Sequence, residues 1–148
     1  MVAGTGCAGK PAREQRTTEG PTAEHAFTYR IAQQNGREPT FEERQTWKDE
    51  LDLKIARYLT ANPEDANALG VMKFRYLHQV TVGMSKEQVA ILLGQPSGVT
   101  TEAERMAELA RKYWDDIKDR TTEAWSYPLG WSFYFSDDRL VEITQYTP

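Results

Sequence analysis

Thr81-Val82-Gly83-Met84-Ser85-Lys86-Glu87-Gln88-Val89-Ala90-Ile91-Leu92-Leu93-Gly94-Gln95-Pro96 writes both ends of one short helix into the chain. Ser85 and Gln88 stand at capping-box spacing, so each side chain can satisfy a backbone N–H of the first turn. Val89, Leu92 and Leu93 make one apolar face. Gly94 suits a left-handed C-cap, and Pro96 bars continuation. Every residue here has a structural task, and none reads as catalytic.

Downstream, from Trp125, the apolar period changes from helical to two. Trp125, Tyr127 and Leu129 alternate with Ser126 and Pro128; Trp131, Phe133 and Phe135 alternate with Ser132 and Tyr134; Val141 and Ile143 alternate with Glu142 and Thr144. Pro128-Leu129-Gly130 and Ser136-Asp137-Asp138-Arg139 are turn signals between them. The pattern predicts a three-stranded antiparallel meander with one greasy face. Three strands are marginal alone, so that face must pack on helices. Parity places Tyr134, Thr144 and Tyr146 on the other face.

Upstream, Thr40 and Glu43 form a second capping box, and Trp47, Leu51, Ile55 and Leu59 follow as an apolar stripe. That helix should fail at Asn62-Pro63. Asn62 then caps a further helix whose buried side is read as Leu69, Met72, Tyr76 and Val80, with Gly70 as a weak point. His78, near its end, reads as a partner for the helix dipole rather than a ligand or base. Phe27, Tyr29 and Ile31 alternate, which suggests a short strand or a docked extended segment. Between residues 97 and 122 lies a further helical stretch, opened by Thr101 and Glu104, with Ala103, Met106, Ala110, Tyr113 or Trp114, and Ile117 on its apolar face.

Residues 1–24 have no apolar periodicity and read as a flexible tether; residues 25–148 form the α+β domain. The chain has 148 residues, enough for one core rather than two. Net charge is −4, which argues against a nucleic-acid-binding role. One cysteine, Cys7, and two histidines, His25 and His78, leave no basis for an internal disulfide or a Cys- or His-rich metal centre. No apolar run is long enough to span a membrane as a helix.

Val82-Gly83-Met84-Ser85 through Leu93-Gly94-Gln95-Pro96 resembles the G-M-S/T-x-x-x-V-x-x-x-L/h-G-x-P signature of the SmpA/OmlA (BamE-like) lipoprotein domain. Trp125-Ser126-Tyr127 is similar to that family's W-x-Y strand, and Phe133-Tyr134-Phe135-Ser136-Asp137-Asp138-Arg139-Leu140 to its Y-x-F-x-x-x-x-L hairpin. The likeness covers about residues 63–146. It implies helices packed on one face of a three-stranded antiparallel meander. The helix from Thr40 and the insertion at 97–122 are additional to that family's minimal domain. The resemblance further implies a non-enzymatic envelope lipoprotein at the periplasmic face of a Gram-negative outer membrane. There it would act as a scaffold or accessory subunit for an envelope protein or membrane complex. The alternative is a periplasmic or secreted inhibitor that binds an enzyme through a related fold. The small residues before Cys7, with a polar stretch after it, resemble the end of a lipoprotein signal, which implies lipidation of Cys7.

No cofactor, metal site or catalytic residue is expected. Asp115, Asp116 and Asp119 are close in sequence, but Lys112 and Lys118 neighbour them and the group reads as a solvated face. Exposed tyrosines favour binding surfaces. Tyr134 and Tyr146, with Trp131 at the rim, are therefore expected either to touch a partner protein or to lie beneath one of the two added helices. Oligomeric state is not legible.

Overall fold

The computed structural model describes residues 13–68 and 70–148; Cys7 and Leu69 lie outside them. Along the chain run β1 (Arg13–Thr17), β2 (Glu19–Thr22), α1 (Ala23–Asn35), α2 (Phe41–Ala61) and α3 (Pro63–Ala66). A π-helical turn (Lys73–Leu77), β3 (Gln79–Thr81), α4 (Lys86–Leu93) and β4 (Gly98–Thr100) follow. The remainder is α5 (Ala103–Ala110), α6 (Trp114–Ile117), β5 (Glu123–Tyr127), β6 (Trp131–Ser136) and β7 (Arg139–Thr147).

The chain is α+β. The three expected strands are the middle of a five-stranded antiparallel sheet in the order β1-β7-β6-β5-β4, and β2 pairs with β3 in a small second sheet. Both outer strands were missed for the same reason: they carry no apolar alternation. β1 is wholly polar, yet it zips onto β7 because its side chains find partners there, Gln15 on Gln145 and Arg16 on Glu142. The tether expected through residue 24 is corrected accordingly, since Arg13–Thr17 and Glu19–Thr22 are strands and α1 begins at Ala23.

Both capping boxes form. Thr40 Oγ1 accepts from Glu43 N while Glu43 accepts from Thr40 N, and Ser85 and Gln88 exchange the same pair of bonds. Gly94 ends α4 at φ +83° and ψ −168°, a glycine conformation, though not the left-handed helical one expected. The strand suggested at Phe27, Tyr29 and Ile31 is instead α1. Thr22 caps it through His25 N, Gly36 ends it at φ +70°, and Ala23 and Phe27, four apart, supply its buried side. Phe27 stacks on Trp47 of α2 with ring centroids 4.6 Å apart.

The helix expected beyond Pro63 lasts only four residues. Met72 and Tyr76 are exposed and Val80 is a buried strand residue; Phe74, in the π-helical turn, fills the core position. His78 closes that turn in the left-handed region, φ 54°, with its Nε2 3.7 Å from Asp52. The insertion is not one helix either. Glu102 rather than Thr101 precedes α5, and Arg111 at φ 55° breaks the helix before α6.

Three layers result. On one sheet face Phe133, Phe135, Leu140 and Ile143 pack under α1, α2 and α4, with Leu51, Ile55, Leu59, Val89 and Leu92. β2 crosses that face so closely that a Cβ at Gly20 would lie 3.1 Å from the Phe133 ring. A bulge in β7 shifts the register between Tyr134 and Phe135, setting Phe135 opposite Leu140 and turning Leu140 inward where Val141 was expected. On the other face Met106, Ala110 and Ile117 of the insertion cover Ala124 and Tyr134.

Candidate binding cleft

Tyr134 is fully buried, and its hydroxyl shares a 2.7 Å hydrogen bond with Thr144 Oγ1. The expectation that it touches a partner is therefore corrected: the inserted helices take that face, as the second reading of the sequence had it. Tyr146 is half-buried beneath the Arg111 guanidinium, 3.8 Å from the ring centroid. Arg111 also pairs with Glu14 of β1. Trp131 is separated from both tyrosines, because its side chain belongs to the opposite sheet face, where it stacks beside Phe133.

There Trp131 lines a cavity of about 360 Å³ between α1, the end of α4 and the β5–β6 turn. The apolar wall comes from Pro21, Leu93, Tyr127 and Pro128 together with Trp131, and α1 contributes His25, Tyr29 and Arg30. The sequence reading missed the α1 side because three alternating residues masked its helical spacing. The Thr22 cap and Gly36 were the signals that could have found it.

The rim of this cleft is held in an uncommon conformation. Leu129 and Gly130 both have positive φ, 68° and 78°. A side chain at Gly130 would run into the Tyr146 carbonyl, so the turn closes only over glycine. Leu129 has a Cβ, and holding it in this region carries a local conformational cost. Two bonds secure it: Gln145 Nε2 donates to Leu129 O at 3.0 Å, and Tyr146 N donates to Gly130 O at 3.0 Å. Below them the Tyr127 hydroxyl donates to Gly94 O at 2.8 Å, and burial raises its pKa well above the ordinary tyrosine value. Leu129 is thus displayed, 39% exposed, on a fixed support.

A second polar group lies across the core. Tyr58 donates to Asp65 at 2.5 Å and shares a 2.7 Å bond with Ser85 Oγ, while Arg139 donates to Asp65 at 3.0 Å and to Gly83 O at 3.2 Å. Burial, then the Asp65 hydrogen bond, pushes the Tyr58 pKa up to about 12. Because the Tyr58 proton goes to Asp65, Ser85 Oγ donates its own proton to the Tyr58 oxygen, and it accepts from Gln88 N as the cap of α4. The arrangement fastens α2, α3 and α4 to the β6–β7 hairpin.

Asp115 pairs with Lys118 at 3.4 Å, and both are largely solvated. Among the described residues no three His, Cys, Asp or Glu side chains gather in a metal-holding cluster, and no helix is long and apolar enough to cross a membrane. Comparison with protein-family models, curated proteins and solved structures finds no match.

Proposed function

We propose that this chain is a non-enzymatic, lipid-anchored envelope protein that binds another protein through the cleft around Trp131. The observation that carries the binding role is that cleft: an aromatic and apolar hollow with an exposed leucine fixed at its rim on strained backbone. Tyr and Trp bury large area at small entropic cost, and a preorganised rim avoids ordering a loop on contact. The envelope setting rests on the SmpA/OmlA-like segments and on the residues around Cys7. In this reading Cys7 carries the acyl anchor at the periplasmic face of a Gram-negative outer membrane, and the domain stabilises a membrane-bound assembly.

The test expresses the gene with its upstream codons, labels cells with a fatty-acid probe and fractionates membranes beside a Cys7→Ser control. Cysteine-dependent label in the outer-membrane fraction, with a membrane complex retained by the wild type and lost by Trp131→Ala, is the expected result. A soluble, unlabelled product overturns the anchor. Retention of the same complex by Trp131→Ala overturns the cleft as its contact.

A further inference from the structure

A separate surface, away from Trp131, has its own features of a docking site. Phe41, Tyr76 and Leu77 are 79%, 59% and 58% exposed, and all three line one hollow of about 410 Å³ beside Trp47. Scattered exposed apolar side chains are ordinary; their convergence on one concavity is not. A second hollow of about 670 Å³ adjoins it, floored by Ile55, Ala56, Leu59 and Ala66. The two share Lys48, Tyr76 and His78, so they form one groove between α2 and the π-helical turn. From Phe41 to Thr60 the groove follows about five turns of α2, roughly 28 Å.

The groove owes its shape to the backbone register of 73–77. The π-helical turn buries Phe74 and sends Tyr76 and Leu77 outward, and His78 then reverses the chain into β3. Single π-helical turns of this kind often mark functional sites.

Its charge says what it fits. The chain as a whole carries −4. Within the groove Arg44 is engaged by Glu24 and Glu38, and His78 lies beside Asp52. Among the described residues Lys48 and Arg75 enter no ion pair, and Arg75 rests on the Tyr76 ring. Against these two cations the lining sets one carboxylate without an Arg or Lys partner, Asp52, whose neighbour His78 is a cation only when protonated; the charged side chains lining the groove remain net positive in an otherwise acidic chain.

We propose that this groove docks an acidic amphipathic helix of a partner protein. Apolar side chains of successive turns fill the two hollows, and carboxylates on the flanks of that helix meet Lys48 and Arg75. The successive hollows along a helix-lined floor match side chains repeating at i, i+3/i+4 and i+7. The concavity suits a protein ridge better than a flat bilayer surface.

Selection of random peptides displayed on phage against the purified chain tests this. The enriched sequences should carry Asp or Glu together with Leu or aromatic residues at helical spacing. Their affinity should fall at least about tenfold for Lys48→Glu/Arg75→Glu and for Tyr76→Ser/Leu77→Ser. All four substitutions are at the surface or rim, and an unchanged unfolding midpoint confirms that each variant is folded. Enrichment of basic or patternless peptides, no enrichment, or equal binding by the double variants overturns the proposal. So does binding of phosphatidylglycerol vesicles where no peptide binds, which would assign the face to a membrane.

Discussion

The two faces of the five-stranded sheet are equally dry and chemically opposite. One is built from Phe133, Phe135, Leu140 and Ile143 against helices, and needs no polar bookkeeping. The other presents Ser132, Tyr134, Glu142 and Thr144, all buried. Its polar atoms are satisfied within the protein: Tyr134 with Thr144, and Glu142 with Arg16 of β1 and with Arg120 at the end of the insertion. The first face is stabilised by area removed from water, and its failure mode is a void. The second is stabilised by pairing, and its failure mode is an orphaned group.

The largest effect should come from emptying the apolar face. Phe133→Ala is expected to cost about 3–5 kcal/mol, measured by denaturant unfolding. The next concerns the carboxylate. The Arg16→Ala/Arg120→Ala double variant strands Glu142 in a dry site and should cost about 3 kcal/mol, whereas Glu142→Met leaves two half-exposed arginines that water can serve, and should cost far less. Equal losses would mean that the ion pairs, rather than desolvation, set the stability of that face. A smaller change is expected for Tyr134→Phe, about 1 kcal/mol, because one hydrogen bond goes while the ring still fills its place. A loss of several kcal/mol would show that Thr144 has no other way to satisfy its hydroxyl.

The last prediction is silent at neutral pH. Tyr58 keeps its proton up to about 12 in the folded chain, and burial likewise raises Tyr127 and Tyr134. The unfolded chain releases these protons near the ordinary value of about 10. Stability is therefore undiminished below that value and falls as pH rises through it toward about 12. Chemical denaturation from pH 8 to 12, about the range of ordinary tyrosine titration, should show a declining midpoint. Tyr58→Phe should flatten part of the decline.

The contrast between faces also explains what could be read from the chain. The greasy face repeats every second residue, and the caps at Thr40 and Ser85 are local, so strands β5–β7 and helices α2 and α4 were legible. β1 was not, because Arg16 and Glu142 recognise each other across 126 residues and nothing near either announces the other. The bulge at Val141 was hidden for a related reason: Leu140 and Val141 are both apolar, and only the pairing across β6 decides which points inward. Of the cleft, Trp131 and the Pro128-Leu129-Gly130 turn were visible. Tyr29 and Arg30 were not, because Phe27, Tyr29 and Ile31 fit a period of two as well as a helix does.

β1 sets an upper limit on reach. Arg13 is the first described residue of the sheet, so under the proposed function an acyl chain on Cys7 would stand six residue steps from it, at most about 21 Å away. A tether reaching to residue 24 would have allowed about three times that span. With that anchor in place, the β1–β7 edge, where Arg13 faces Thr147, would be the part of the domain kept nearest the bilayer, and the protein would be moored rather than roaming.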